Sequence, residues 1–332
     1  MTDKNTARTI PAYVSRYVGA LLERTAGKEA TAEIALPEAV GKGEVFLLAY
    51  PSGRRAVLRA FKSRTKFSRY SQAMLYCKGK DLPVPRLTES DGQRATRGRF
   101  QRWFCVEEFV DGTPLSRLDD TSAHAERVIR ALARLHDETS ARWGWPHKLN
   151  QSPFKEYLSS RVNRIFQDIS YLSRDVSFGE IGLWHGWLAL QIEAMPEPSR
   201  FSLVHENLSG GNIIIPPDAS CAVFVGSRGL RFGFFAHDVE QILALLAKGD
   251  DAKRRDCLAL YMRLQNHLPP DTNYEAVSTV FRARYWLLRL RSLLKRHAKN
   301  DAAPGATPDA APEAASEAAI AQIRKTIRSF VR

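Results

Sequence analysis

The sequence is poor in cysteine and has no long apolar run. Its four cysteines, scattered through 332 residues, form no Cys-x-x-Cys or Cys/His pattern, so we expect neither a disulfide framework nor a zinc site. No segment approaches the roughly 20 apolar residues that cross a bilayer. The polar residues 1–8 are not followed by the apolar core of a signal peptide. We therefore expect a cytoplasmic protein without a transmembrane segment.

Positive charge, in contrast, is abundant. The chain carries 49 Lys and Arg against 36 Asp and Glu, a formal net charge of +13. The basic residues concentrate in three groups, at 54–69, 94–102 and 282–296. Such fields attract anions, so nucleotide phosphates, nucleic acid or an anionic membrane surface are candidate partners. A solvated basic face explains the same pattern without any partner.

Apolar periodicity predicts an α+β protein whose strands come first. Strand-like runs flank a turn at 51–53, and helical spacing dominates after residue 111. Helices are predicted at 67–80, 122–139, 154–172, 236–247 and 274–297. The predicted parts are an N-terminal helical extension (1–29), a β-rich lobe (30–110), a helical lobe holding a β-hairpin (111–299), a flexible Ala/Pro-rich insertion (300–315) and a C-terminal helix (316–332).

The segment 203–214, Leu-Val-His-Glu-Asn-Leu-Ser-Gly-Gly-Asn-Ile-Ile, resembles the catalytic loop of aminoglycoside phosphotransferases and choline-kinase-like enzymes. Their pattern is apolar–His–Gly–Asp–Leu–His–Pro–Gly–Asn–Ile. Gly226 stands where the family has its metal-binding aspartate, and Asp238, twelve residues later, matches its second aspartate. The resemblance extends over about 30–298. It implies a two-lobed, protein-kinase-like fold with a small β-rich N-lobe and a larger helical C-lobe.

The N-terminal region resembles the nucleotide-binding part of the same family. Arg59 matches the strand residue that contacts phosphate, with Lys62 as the competing candidate. The helix carboxylate that pairs with this basic residue is replaced by Gln72. Glu107 and Phe109 lie in the segment that matches the linker between lobes, which contacts the nucleotide. The implied nucleotide is ATP.

A glycine pair precedes the strand that begins at residue 44. Gly41 and Gly43 stand where the family has its phosphate-covering loop, which implies nucleotide contact. A simple hairpin turn requires glycine equally, so a plain turn remains the alternative.

The positions that would carry the chemistry depart from the family pattern. Asn207 replaces the catalytic Asp, and an amide can hold a hydroxyl group but cannot accept its proton. Gly226 offers no carboxylate to a metal, so Asn212 alone remains of the expected ligands and Mg²⁺ should bind poorly. We expect His205 to bond the loop backbone. Asp238 is expected to cap its helix and stabilise the loop.

These substitutions favour a catalytically impaired pseudokinase that binds a nucleotide or another anionic small molecule, or serves as a scaffold for a protein partner. One alternative is an active ATP-dependent kinase acting on a sugar or amino-alcohol hydroxyl, for which the net charge favours an anionic acceptor. A second alternative is a polyanion binder. Glu206, which replaces the loop glycine, adds negative charge at the site. Trp143 and Trp145 either line a substrate cleft or pack in the core.

Overall fold

We describe the chain from a computed structural model, which defines residues 14, 33–35, 44–50, 53–90, 102–173, 176–227, 229–265, 274–301 and 310–331. The predicted N-terminal extension, apart from Val14, lies outside the described residues. The same holds for Gly41 and Gly43 and for most of the basic group at 94–102. These predictions stay predictions.

A five-stranded antiparallel sheet forms the N-terminal lobe. Its strands are β1 (Glu33–Ala35), β2 (Glu44–Ala49), β3 (Arg55–Phe61), β4 (Leu87–Ser90) and β5 (Trp103–Glu108), in the spatial order β1-β2-β3-β5-β4. Ala49 pairs with Arg55 across the predicted turn, where Gly53 has a φ of +80° that favours glycine. The hairpin prediction is therefore confirmed.

One helix, α1 (Arg64–Cys77), packs against this sheet. Its buried residues Phe67, Tyr70, Met74 and Cys77 recur every three or four positions, as an amphipathic helix requires. Gln72 lies on the opposite, exposed face. The packing therefore brings Tyr70, and not Gln72, to the sheet.

The C-terminal lobe is mostly helical. Its helices are α2 (Ala125–His136), α3 (Phe154–Leu172), α4 (Phe178–Ala194), α5 (Ala236–Ala247), α6 (Asp251–Leu264), α7 (Tyr274–Asp301) and α8 (Ala310–Val331). Helix α5 is central, because it packs against both α6 and α7 and all of its residues from Ala236 to Leu243 are buried. The predicted α+β architecture, with a β-rich and a helical part, is confirmed.

Two small sheets in this lobe hold the loops of interest. One contains β6 (Thr113–Pro114), β11 (Ile213–Ile215) and β12 (Val223–Phe224); the other contains β7 (Thr139–Ser140), β8 (Gly144–Trp145), β9 (Lys148–Leu149), β10 (Phe201–Val204) and β13 (Arg231–Gly233). The chain leaves the second of these sheets after β10 and returns to it after β12. The segment 205–212 lies against Val225 and Gly226, which hydrogen-bond to His205, Asn207 and Asn212.

Helix α1 and the chain after it contact the C-terminal lobe directly. The Tyr76 hydroxyl donates to Glu138 Oε2 at 2.8 Å, and Lys80 Nζ lies 2.5 Å from the same oxygen. The Phe224 amide donates to the Pro83 carbonyl at 2.8 Å. The end of α1 is thus joined to Glu138, which follows α2, and the chain after α1 is joined to the β11–β12 hairpin.

The C-terminal helix α8 begins at Ala310 rather than at residue 316. The sequence prediction gave too much weight to proline, which the first turn of a helix tolerates, and too little to alanine, the strongest helix former. The carboxylate of Glu180 on α4 accepts hydrogen bonds from Arg324 and Arg328, both at 2.7 Å. Residues 302–309 of the predicted insertion lie outside the described residues.

The third basic group does not form a single exposed surface. Arg284 is buried, Arg282 lies over the Phe330 ring at 5.1 Å, and Lys295 pairs with Asp168 at 2.8 Å. Much of this charge therefore serves contacts within the fold. Among the residues that the structure describes, no helix has both the length and the apolar character needed to span a bilayer.

Candidate functional site

His205 anchors the loop that follows β10. Its side chain is fully buried, its Nε2 lies 3.1 Å from the Val225 carbonyl, and the Asn207 amide donates to its Nδ1 at 3.3 Å. Burial lowers the pKa of His205 to about 4, so the ring is neutral near pH 7. The tautomer with hydrogen on Nε2 makes both bonds at once. His205 thus connects the two segments between the small sheets, as the expected backbone-bonding role requires.

Asp238 binds the backbone of the same loop. Its Oδ2 accepts the His205 amide at 2.5 Å and its Oδ1 accepts the Glu206 amide at 2.9 Å. The carboxylate is fully buried with the rings of His237 and His136, at 3.2 and 3.6 Å. Burial alone would raise the pKa of Asp238, but these two histidines outweigh it and hold the pKa far below the ordinary value. Asp238 is therefore an ionised anchor for the loop.

The other half of the prediction for Asp238, helix capping, is not what the structure shows. Asp238 lies in the first turn of α5, and the residue before the helix, Phe235, makes no side-chain cap bond. The carboxylate is directed to the loop amides, whose bonds to a charged acceptor are stronger than neutral ones.

The amide of Asn207 is engaged in a structural hydrogen bond. Its Nδ2 donates to the Gly226 carbonyl at 2.9 Å. Only a donor can make this bond, since a carboxylate at the same place would present oxygen to oxygen. Asn207 therefore lies in the predicted catalytic loop and uses its amide to join the two segments.

Asn212 occupies the space beside Gly226. Its Nδ2 donates to the Asn207 carbonyl at 2.8 Å, and its Oδ1 lies 2.6 Å from where a Cβ on residue 226 would be. The Gly226 backbone has a φ of +70°, which favours glycine. Asn207, Asn212 and Gly226, which stand at the expected base and metal positions, are thus brought together. Hydrogen bonds among these three residues occupy both side-chain amides, and we call this group the closed amide cluster. Among the described residues, no group of three or more His, Cys, Asp or Glu could hold a metal ion.

Glu206 adopts a backbone conformation that suits glycine. Its φ is +58°, in the left-handed region that costs a non-glycine residue about 1–2 kcal/mol. Its carboxylate forms an ion pair with Arg231 on β13. Burial alone would raise the pKa of Glu206, but the attraction of Arg231 outweighs it and lowers the pKa. The expected added negative charge is therefore neutralised by Arg231.

Arg59 has a carboxylate partner that the sequence comparison did not identify. Arg59 Nε lies 2.5 Å from Glu107 Oε1, and the Tyr70 hydroxyl donates to Glu107 Oε2. In the register of β3 and β5, Val57 pairs with Glu107 and Arg59 with Cys105. Arg59 and Glu107 are thus diagonal neighbours on one face. The Arg59–Glu ion pair, thought to be lost with the Gln72 substitution, is formed from β5.

Phe109 lies beyond the end of β5, and the Arg55 guanidinium lies over its ring at 4.3 Å. Trp143 packs in the core, 4.4 Å from the Tyr157 ring. Trp145 is half-buried in β8, and Arg69 lies 5.2 Å and Arg231 6.0 Å from its ring.

Sequence reasoning missed three residues near the loop: Arg231, Arg284 and Tyr157. Arg231 had a usable signal, because it lies between the two matched landmarks Gly226 and Asp238. Arg284 belongs to the basic group at 282–296, but nothing in the sequence separates a buried arginine from its exposed neighbours. Tyr157 had no signal beyond its place on an amphipathic helix.

Comparisons with known proteins agree with the fold. The model of the phosphotransferase enzyme family matches residues 41–224, more than half of the chain. The chain belongs to this family. The comparison with curated protein sequences gave no match.

Several solved structures share the whole fold. The microcompartment-associated aminopropanol kinase has 17% identity and a TM-score of 0.66, over 96% of this chain and 98% of that one. A putative aminoglycoside phosphotransferase from Ralstonia eutropha JMP134 has 16% identity and a TM-score of 0.65, over 96% and 98% of the two chains. A thermostable mutant of aminoglycoside phosphotransferase APH(4)-Ia, in a ternary complex with ADP and hygromycin B, has 15% identity and a TM-score of 0.62, over 95% and 97%. At these identities the likeness shows the fold alone.

Proposed function

We propose that this chain is a nucleotide-binding pseudokinase, in which phosphoryl transfer is severely impaired. The observation that carries the proposal is the amide cluster of Asn207, Asn212 and Gly226. In phosphoryl transfer a loop carboxylate receives the acceptor's proton, and metal-binding carboxylates neutralise the developing charge. Here the first position is an amide that donates to the Gly226 carbonyl, and the second has no side chain.

The residues present do not fit Mg²⁺ in the family's manner. A magnesium ion requires hard oxygen ligands, usually including a carboxylate. Position 226 supplies none, and Asn212 Oδ1 lies against the space that a side chain there would use. We therefore derive no catalytic step through a metal.

Nucleotide binding is supported by the Arg59 pair. Glu107 Oε1 engages Arg59 through Nε, which fixes the guanidinium, and the terminal nitrogens of a guanidinium group are suited to bind phosphate oxygens. Solved structures of APH(4)-Ia mutants contain ADP or AMP-PNP. By this resemblance ATP binds between the lobes, with Phe109 and the glycines at 41 and 43 as further expected contacts.

A thermal-shift titration with ATP, with and without Mg²⁺, tests the proposal. At about one hundred times the dissociation constant, ATP stabilises the folded state by about 2.7 kcal/mol. We expect a shift that needs no Mg²⁺, together with no phosphorylated product from any hydroxyl acceptor. A shift that requires Mg²⁺, accompanied by turnover, would establish an active small-molecule kinase instead. The absence of any shift would refute nucleotide binding.

Two variants locate the nucleotide site. Arg59→Lys keeps the charge beside Glu107 but removes the planar fork, so the ATP response should weaken. Lys62→Met removes the competing candidate three residues away and should leave the response intact. The reverse result would assign the phosphate contact to Lys62.

A further inference from the structure

Arg284, on α7, is a buried cation that forms no ion pair with the described residues. The residue is 5% exposed, and its Nε is buried without a hydrogen bond. Within the described part of the chain, no carboxylate lies within 4.0 Å of its guanidinium. Burying an uncompensated charge costs several kcal/mol. Such a residue destabilises the fold unless a ligand supplies the opposite charge.

The surroundings of Arg284 are basic and aromatic. Its electrostatic neighbours are Glu206, Tyr157, Arg231 and Arg161. Arg231 is 8% exposed and its Nε also lacks a hydrogen-bond partner, while its guanidinium lies over the Tyr157 ring at 4.7 Å. Arg161 follows Tyr157 by one turn of α3 and is exposed.

The carboxylates beside this cluster are already engaged. Arg284 is repelled by Arg231 and Arg161 and attracted by the Glu206 carboxylate, which is paired with Arg231. The other carboxylate beside the loop, Asp238, lies against His237 and His136. Burial lowers the pKa of Arg284 to about 10, and repulsion from Arg231 and Arg161 contributes. Arg284 therefore remains charged at pH 7.

We propose that Arg284, Arg231 and Arg161, together with Tyr157, form a binding site for the phosphate monoester of a small molecule. A phosphate monoester carries a charge of about −1.5 to −2 at pH 7, so it offsets more of this positive charge than a carboxylate does. Guanidinium forks bind phosphate oxygens in pairs. The rings of Tyr157 and Trp145 offer an apolar wall to the rest of the ligand.

The site lies on the acceptor side of the loop. Glu206, which pairs with Arg231, directly precedes Asn207 at the catalytic-base position, and a kinase base is placed beside the acceptor. The phosphorylated ligand therefore occupies the place of an acceptor substrate. Its binding does not depend on the nucleotide site around Arg59, and the two proposals can fail separately.

Thermal-shift and calorimetric titrations with glycerol phosphate, at constant ionic strength, test this site. We expect glycerol phosphate to raise the melting temperature by a few degrees, whereas glycerol should not. Arg284→Met should weaken binding about 10- to 100-fold, the loss that corresponds to charge-assisted hydrogen bonds, and should leave the ATP response unchanged. Arg296→Met, an exposed arginine on the same helix, is the matched control.

The stability of Arg284→Met without ligand gives an independent readout. Removing a buried, unpaired charge should leave the ligand-free protein as stable or more stable, whereas a structural arginine would cause a loss. If this variant does not fold, Arg161→Gln, an exposed substitution, should still weaken glycerol phosphate binding.

Three results would overturn the proposal. They are no response of the wild type to glycerol phosphate, an equal response of Arg284→Met, or a response that saturating ADP abolishes. The last would place the phosphate at the nucleotide site. Binding to vesicles containing phosphatidic acid without binding of glycerol phosphate would assign the cluster to a membrane lipid instead.

Discussion

Restoring the missing carboxylate at position 226 should destabilise the protein without restoring a metal site. Gly226 has a φ of +70°, where a residue with a Cβ costs about 1–2 kcal/mol. The new Cβ would also lie 2.6 Å from Asn212 Oδ1, so the Asn212 side chain must rotate away and lose its hydrogen bond to the Asn207 carbonyl, at a cost of about 0.5–1.5 kcal/mol. Gly226→Asp should therefore lower the free energy of unfolding by about 1.5–3.5 kcal/mol.

Gly53→Asp is the matched control for the backbone part of this cost. Gly53 has a similar φ of +80°, but a Cβ there would meet nothing within 4 Å. We expect it to lose only about 1–2 kcal/mol, so the difference between the two variants measures the conflict with Asn212. Urea denaturation of both variants gives this difference.

In the Gly226→Asp protein, Mg²⁺ should not increase the stabilisation that ATP gives. The Asn212 side chain occupies the space of the new carboxylate, so it must move before that carboxylate and Asn212 could bind the same ion. If Gly226→Asp were as stable as Gly53→Asp and bound ATP more tightly with Mg²⁺, the closed amide cluster would not be the obstacle. The reasoning would then be refuted.

Three further predictions concern groups around the site and at the C-terminus. The pKa of His205 is 6.5 when unfolded and about 4 when folded. The unfolded state therefore binds the extra proton first, and stability should fall by about 2 kcal/mol from pH 7 to pH 5; equal pH dependence of urea midpoints in wild type and His205→Gln would contradict this. Glu107→Gln leaves the charge of Arg59 buried and should cost about 3 kcal/mol, measured by denaturation; an unchanged midpoint would show that the ion pair contributes nothing. Glu180→Gln should speed hydrogen exchange in α8 while leaving other helices unaffected, and uniform exchange would show that this helix is not held separately.

Much of the fold could be predicted because its signals are local. Helix periodicity placed α3 at 154–172 and α5 at 236–247, the bounds that the structure has. Each of these helices buries a long apolar stripe, which leaves a strong pattern in the sequence. The start of α8 was misplaced because alanine and proline in the same segment give opposing signals.

The interactions around the candidate site could not be predicted from the sequence, although the family resemblance singled out the positions that contact one another. The catalytic-loop pattern identified Asn207, Asn212 and Gly226, since spacing along one chain locates them. The partner of Arg59 could not be found in this way, because Glu107 reaches it across two paired strands and the register is a tertiary property. The sequence likewise predicted that Glu206 adds negative charge, because its partner Arg231 lies on a separate strand and cannot be identified from spacing along the chain.

These substitutions together reduce the negative charge beside the loop. The family pattern places aspartates at 207 and 226, and both positions are uncharged here, while the Glu206 carboxylate is bound by Arg231. Asp238 keeps its charge but directs it to the amides of the loop. If phosphoryl transfer is impaired as we propose, catalysis does not require the buried charge of Arg284, which lowers the stability of the fold. An anionic ligand that supplies the opposite charge, as proposed above, gives this arginine a function.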